Sequence, residues 1–255
     1  MNEHGPELER KPRSGPRPGL PSGLGLDAIE TMRLGGKSAL ISGVVFLTTI
    51  AYTFGFLFSM GLTTDMLNEP NHLMPWVHDH TIAFVGLWWI FVLHLLFLLP
   101  VPAGLAMVVG HRRAIIRTAT AAGMIGAVVG MIGAMVNAAT APALSAASVT
   151  IAESLRPNVW LMSELAGNLG LHLRLLSDLL VVVWLGITGL TLVRMPGWKV
   201  LGVAQLAATA LTLVVVVAKP FDWLDLEPSL GFVLALVYLW IGVALLKAAR
   251  RAPLG

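Results

Sequence analysis

Long apolar runs recur six times along this chain, separated by short polar segments. A bilayer core about 30 Å thick is crossed by roughly 20 apolar residues at ~1.5 Å rise per residue, and each run is long enough. The pattern predicts an all-α, polytopic membrane helix bundle. Its six transmembrane helices fall at about Ser38–Met60, Thr81–Val109, Ala114–Asn137, Leu169–Leu192, Trp198–Ala218 and Leu230–Ala248. The second span is too long for a straight crossing, and Pro100-Val101-Pro102 predicts a kink where backbone hydrogen bonds are lost. Residues 38–250 thus make one six-helix domain, with residues 251–255 a short carboxyl tail. The 37 residues before it are rich in Pro, Gly and charge and have no apolar h-region. They read as a disordered cytoplasmic tail rather than a cleavable signal, with an interfacial helical turn in Gly25–Leu34 as the alternative for part of it.

Polar positions give the spans direction. Fourteen of the seventeen Lys and Arg residues fall on one side of the predicted bilayer, in the amino-terminal tail, the turns after spans 2 and 4, and the carboxyl end. Only Arg156 and Lys219 fall on the other side, and Arg174 stands at the mouth of span 4. Acidic residues do the reverse: Asp65, Glu69, Asp79, Glu153, Glu164, Asp222, Asp225 and Glu227 occupy the opposite loops. Basic residues stay on the cytoplasmic side, so both termini are expected there. Trp76, Trp160, Trp198 and Trp223 fall near the expected interfaces, where amphipathic aromatics concentrate.

Composition adds mostly exclusions. The chain is 56% hydrophobic and 12% charged, against about 25% charge in a soluble domain, too little to cover a water-facing surface. Cysteine is absent, which removes disulfides, thiolate metal sites, iron–sulfur clusters and cysteine nucleophiles. There is no phosphate-binding glycine loop, H-E-x-x-H, G-x-S-x-G or aspartate-rich prenyl-diphosphate motif. Lipid is the expected partner and nucleic acid is not. A homodimer or larger membrane complex stays open.

Span 3 carries Gly123, Gly126, Gly130 and Gly133 at spacings of three, four and three. Such a small-residue ridge lets a neighbouring backbone approach closely. Packing inside the bundle is the first expectation, with span 5 (Gly202, Ala204, Ala207, Ala208, Ala210) as a plausible partner and a dimer seam as the alternative.

Candidate chemistry is sparse. His94 lies deep in the second apolar run, where a polar side chain is either functional or half of a hydrogen bond aligning two helices. Glu164, Asn168 and His172 would form one stripe if span 4 starts early. Arg174 and Asp178, four apart, can pair along the helix, so they either anchor span 4 or form a proton or ligand site with His94 and His172. A bis-histidine haem on His94 and His172 is disfavoured by depth, because His94 lies about 18 Å below the outer edge of span 2. His78, Asp79 and His80 suit a divalent zinc or copper ion on the outer face if that segment is extended. If it is helical, the two rings point apart, and Asp79 or Thr81 is then an ordinary N-cap. Residues 138–166 read as the longest external segment, with Val149, Ile151 and Leu155 spaced for a surface-lying helix.

The turn Leu192-Val193-Arg194-Met195-Pro196-Gly197-Trp198-Lys199-Val200-Leu201-Gly202 has a basic-Pro-x-Trp-x-x-x-Gly form. With a last span that begins at Pro228 and carries Trp240 and Gly242, and a long second span ending in a basic turn, it resembles an uncharacterised bacterial six-helix membrane family known only as a domain of unknown function. That family often has an acidic residue early in its last helix, where this chain reads Leu230-Gly231-Phe232 after Glu227. The resemblance implies a fold and a location and brings no activity or site residues. Two functions remain: a non-catalytic accessory, sensory or small-molecule-binding membrane protein, or a small membrane enzyme or ion-coupled transporter using His94 and Asp178.

Overall fold

The computed structural model describes residues 26–111, 113–218 and 227–252. Residues 1–25, Arg112, Lys219, Asp222, Trp223, Asp225 and the last three residues of the carboxyl tail lie outside them. The described residues are all helical in architecture, with no strand among them. The elements are α1 (Leu26–Ala51), a π-helical turn (Tyr52–Leu57), α2 (Thr64–Asn68), α3 (Pro70–Asp79), α4 (Thr81–Leu98), α5 (Val101–Val109), α6 (Ala114–Thr150), α7 (Arg156–Val193), α8 (Lys199–Ala218) and α9 (Glu227–Arg251). Six helical segments, with α4–α5 counted as one, are long and apolar enough to cross a membrane.

Consecutive spans run antiparallel and close into a ring. Helix α1 packs on α4 and α5, α6 on α4 and α5, α7 on α6, α8 on α7, and α9 returns to both α8 and α1. The closing contact is built from small residues: a Cβ on Gly36 would meet Leu246 and the Gly242 carbonyl, and one on Gly43 would meet Leu239 and the Ala235 carbonyl. Contacts that ascend along α1 descend along α9, so the first and last described residues share one end of the bundle, here the terminal end.

The prolines place α5 in the middle. The kink falls at Leu99–Pro100, as the missing proline N–H groups require. Beyond it α5 turns inward, touches α1, α6, α7 and α9, and has seven of its nine residues buried. It stops at Gly110, whose φ of +101° is a left-handed cap that a Cβ would strain.

Helix α1 begins twelve residues before the expected boundary at Ser38. Leu26–Lys37 is not tail. Ile29, Met32, Gly35 and Gly36 are buried along one face while Asp27, Glu30, Arg33 and Lys37 stay exposed. Gly35 crosses Gly104 so closely that a Cβ on it would stand 2.9 Å from the Gly104 Cα. Tertiary contact with α5 and α9 orders this polar-flanked segment.

Residues 138–166 are also different from expectation. They do not form a loop with a surface helix; α6 continues to Thr150 and α7 starts at Arg156. At 37 and 38 residues these helices are each ~55 Å long. Helix α8, with 20 residues, is ~30 Å long, the thickness of a hydrocarbon core. Gly186 of α7 lies against Thr209 of α8, so Ala218, the end of α8, is level with about Ser177. The twenty or so residues of α7 before that level project past the distal end of α8. Beside them the distal part of α6, the π-helical turn, α2, α3 and the start of α4 build a distal cap around Leu57, Leu62, Met74, Trp76, Phe84 and Ala141. Trp76 Nε1 donates to the Met60 carbonyl at 3.0 Å and Tyr52 Oη to the Ala83 carbonyl at 3.0 Å, tying the π-helical turn to both flanking helices.

The glycine ridge of α6 is spent inside the chain, but not on span 5. A Cβ on Gly123 would meet Trp184 at 2.8 Å, one on Gly126 the Ser177 carbonyl at 3.1 Å, and one on Gly133 the Gly170 carbonyl at 3.0 Å. Its partner is α7, the next helix in the chain. The small residue of α8, Gly202, instead approaches Gly189 and Val193 on the other side of α7.

Candidate functional site

His94 is 2% exposed and works as a bolt between α1 and α4. Its Nδ1 lies 3.0 Å from the Ser42 carbonyl and 2.9 Å from Ser42 Oγ, while Ser42 Oγ donates to the His94 carbonyl at 3.2 Å. Nδ1–H donates to the carbonyl and the serine proton goes to the other helix, so each residue satisfies the other. The imidazole stacks on Phe46 with centroids 4.3 Å apart. This is the helix-aligning role that a buried imidazole among apolar helices can fill.

On its far side the ring faces a different environment. The Tyr238 ring of α9 stands 5.7 Å from His94, and the Phe91 ring 5.8 Å away. The Arg174 guanidinium of α7 lies over Phe91 at 5.8 Å from the ring centroid, within cation–π range. Asp178 lies one turn further along α7, and the Tyr238 side chain is buried. Among the described residues no Cα atoms of α4, α7 and α9 come within 8 Å of one another, so the contacts between these helices are made by side chains. Phe91, Arg174 and Asp178 are half-buried.

The geometry changes two of the depth arguments. A Cβ on Gly130 would meet Ser177 Oγ at 2.8 Å and Leu95 at 2.9 Å at once, so His94 and Asp178 share one level. That level is near the distal end of α8. His172 is therefore only about 9 Å higher along α7, much less than span boundaries suggested. The two imidazoles still do not meet, because His172 is exposed and its Nδ1 is 2.7 Å from its own helix's Asn168 carbonyl. The early start of α7 does create the Glu164–Asn168–His172 stripe, and all three residues are exposed.

The outer-face metal reading fails on local conformation. His78 and Asp79 lie in α3, not in extended chain, and His80 is its C-cap. His80 stacks on Trp76 and its Nδ1 is 2.9 Å from the Trp76 carbonyl. Among the described residues no three His, Cys, Asp or Glu residues come together as metal ligands. Asp79 and Thr81 do not cap α4 either. The Thr81 hydroxyl donates to the Val77 and His78 carbonyls at 2.8 and 3.1 Å, because α3 ends immediately before it and its last carbonyls need partners.

Sequence reasoning missed Ser42, Phe91 and Tyr238, which complete the surroundings of His94. Tyr238 is one of two tyrosines in the chain, a polar tip in an apolar span and so a usable signal. It also missed a polar clamp in the terminal half between α7 and α8. The Thr188 hydroxyl shares its single proton between the Trp184 carbonyl at 2.8 Å and Gln205 Oε1 at 3.1 Å. Gln205 Nε2 is buried there without a partner. Gln205 is the sole glutamine of the chain, and an amide in an apolar span merits attention on that ground alone.

No protein-family profile, curated protein or solved structure matches this chain.

Proposed function

We propose that this is a multi-pass protein of a bacterial inner membrane, with the terminal end cytoplasmic, that binds a small molecule without transforming it. Orientation rests on the basic residues gathered at the terminal end, among them Arg33, Lys37, Arg113, Lys199 and Arg250. The observation that carries the binding function is the meeting of Arg174 and Asp178 of α7 with Phe91 and His94 of α4 and Tyr238 of α9 at one level of the bundle. A guanidinium and a carboxylate, one helical turn apart and flanked by two aromatic rings, suit a small ligand with a charged head and a flat or apolar body. His94 holds α1 to α4 and so fixes the wall that bears Phe91; its role is positioning.

The test is native mass spectrometry with an optical spectrum of the protein purified in lipid nanodiscs. A co-purifying small molecule is expected, lost in both Arg174→Gln and Asp178→Asn while the variants stay folded. Protein free of any such molecule, or one retained unchanged by both variants, overturns the reading. A second function, proton-coupled transport, draws support from His94 and Asp178 standing at one level inside the bundle, since intramembrane Asp and His residues carry protons in pumps. Its mark is proton flux into proteoliposomes that Asp178→Asn abolishes.

A further inference from the structure

We propose that the distal end carries a second binding site, a cleft between α3 and α7 that takes a small organic cation of the quaternary ammonium type. The cleft is about 360 Å³ in volume and opens outward, lined by Pro70 and Asn71 of α3 and by Pro157, Trp160, Leu161 and Glu164 of α7. That volume lies within the range of small-molecule sites. Glu164 stands about 21 Å along α7 from Asp178, so the cleft is separate from the site of Arg174 and Asp178.

The fold fixes both walls. Met74, Trp76 and Val77 of α3 are buried, and Trp76 Nε1 is hydrogen-bonded to the Met60 carbonyl. On α7, Val159 is 5% exposed and takes the inward position, which leaves Trp160 half-buried on the flank beside α3. Trp160 and Glu164 are four residues apart, so their side chains are neighbours on one helix face.

The lining selects the ligand. Two proline rings, an indole and Leu161 make most of it apolar, and its polar side chains are the Glu164 carboxylate and the Asn71 amide. Among the described residues Glu164 makes no ion pair, and no Arg or Lys lies over the Trp160 ring. A carboxylate without a counter-charge thus stands beside an aromatic ring that no cation covers, a combination that attracts a cation. A metal ion needs several oxygen ligands, and among the described residues no three ligating side chains come together. An ammonium ion clothed in methyl groups instead places its charge against the indole and the carboxylate, and its methyl groups against the proline rings. Pro70 and Pro157 stand in the first turns of their helices and have no N–H, which weakens the pull of those helix ends on anions. Arg156 is not part of the lining. Around the cleft Asp65, Glu69, Asp79 and Glu153 are exposed, and a surface of that sign draws cations toward it.

The test is calorimetric titration of the full chain in a maltoside detergent, which has no choline headgroup of its own. Choline is the probe, beside 3,3-dimethyl-1-butanol, its neutral isostere. Saturable choline binding is expected, weakened roughly tenfold by Glu164→Gln and by Trp160→Leu, with no saturable binding of the alcohol. Glu164 is exposed, so Glu164→Gln keeps the fold, and circular dichroism checks Trp160→Leu. Glu153→Gln, which removes a carboxylate outside the cleft, and Arg174→Gln should both bind choline as the parent does. Absence of saturable choline binding, equal binding of the alcohol, or equal weakening by Glu153→Gln overturns the proposal. Loss of choline in Arg174→Gln with retention in Glu164→Gln overturns it too, and places the cation at the central site instead.

Discussion

The crossing of α1 over α5 makes an alanine scan of glycines decisive. Gly35 and Gly104 meet with so little room that a Cβ on either stands 2.9–3.0 Å from the other's Cα. Carbon atoms at optimal separation are about 3.5–4.0 Å apart, so Gly35→Ala needs the two backbones to part by roughly 0.6 Å. Overpacking of this kind costs about 1–3 kcal/mol, while alanine's better helix propensity returns at most ~1 kcal/mol. A net loss of about 1–2 kcal/mol is expected. Gly167, also helical, has nothing within 4 Å of its Cβ position, so Gly167→Ala should keep the propensity gain of ~0.5–1 kcal/mol. Thermal unfolding in detergent, followed by the fluorescence of the eight tryptophans, reads both. Identical chemistry then has opposite signs at two sites. Gly35→Ala unfolding at or above the temperature of Gly167→Ala would refute the close crossing, and with it the ordered start of α1.

Other expectations follow from the same contacts. A double-mutant cycle of Ser42→Ala and His94→Leu should give a coupling of about 0.6–1.7 kcal/mol, the range of hydrogen bonds between membrane helices; additivity would mean that the bolt is not formed. Gln205→Leu removes a buried unpartnered donor together with one hydrogen bond, so its stability should lie within ~1 kcal/mol of the parent. Gln205→Ala leaves a cavity and should lose about 2–4 kcal/mol. Both are measured by chemical or thermal unfolding, and a larger loss for leucine than for alanine contradicts the clamp. The double variant Pro100→Ala/Pro102→Ala should restore a straight second span and withdraw α5 from the centre, seen as faster hydrogen exchange across Val101–Val109; unchanged protection there would show that the kink does not depend on the proline rings.

Hydropathy determined six spans, because every residue facing lipid must be apolar and that demand is local. It also located the proline kink, since a missing N–H breaks a helix wherever it stands. Other boundaries were beyond it. Leu26–Lys37 looks like tail by composition, and becomes helix because Gly35 crosses Gly104 of α5 and Gly36 meets α9, with Ile29 and Met32 buried beside them. The distal halves of α6 and α7 look like loop for a similar reason: their small and mixed-polarity residues are ordered by each other and by α3, not by lipid. Of the site, His94, Arg174 and Asp178 were legible as polar residues in apolar surroundings, which is a property of single positions. That His94 serves α1 through Ser42, while Tyr238 of α9 stands beside it, depends on which helices become neighbours. Ring closure through Gly36, Gly43 and Gly242 settles that, and no local pattern of apolar residues encodes it.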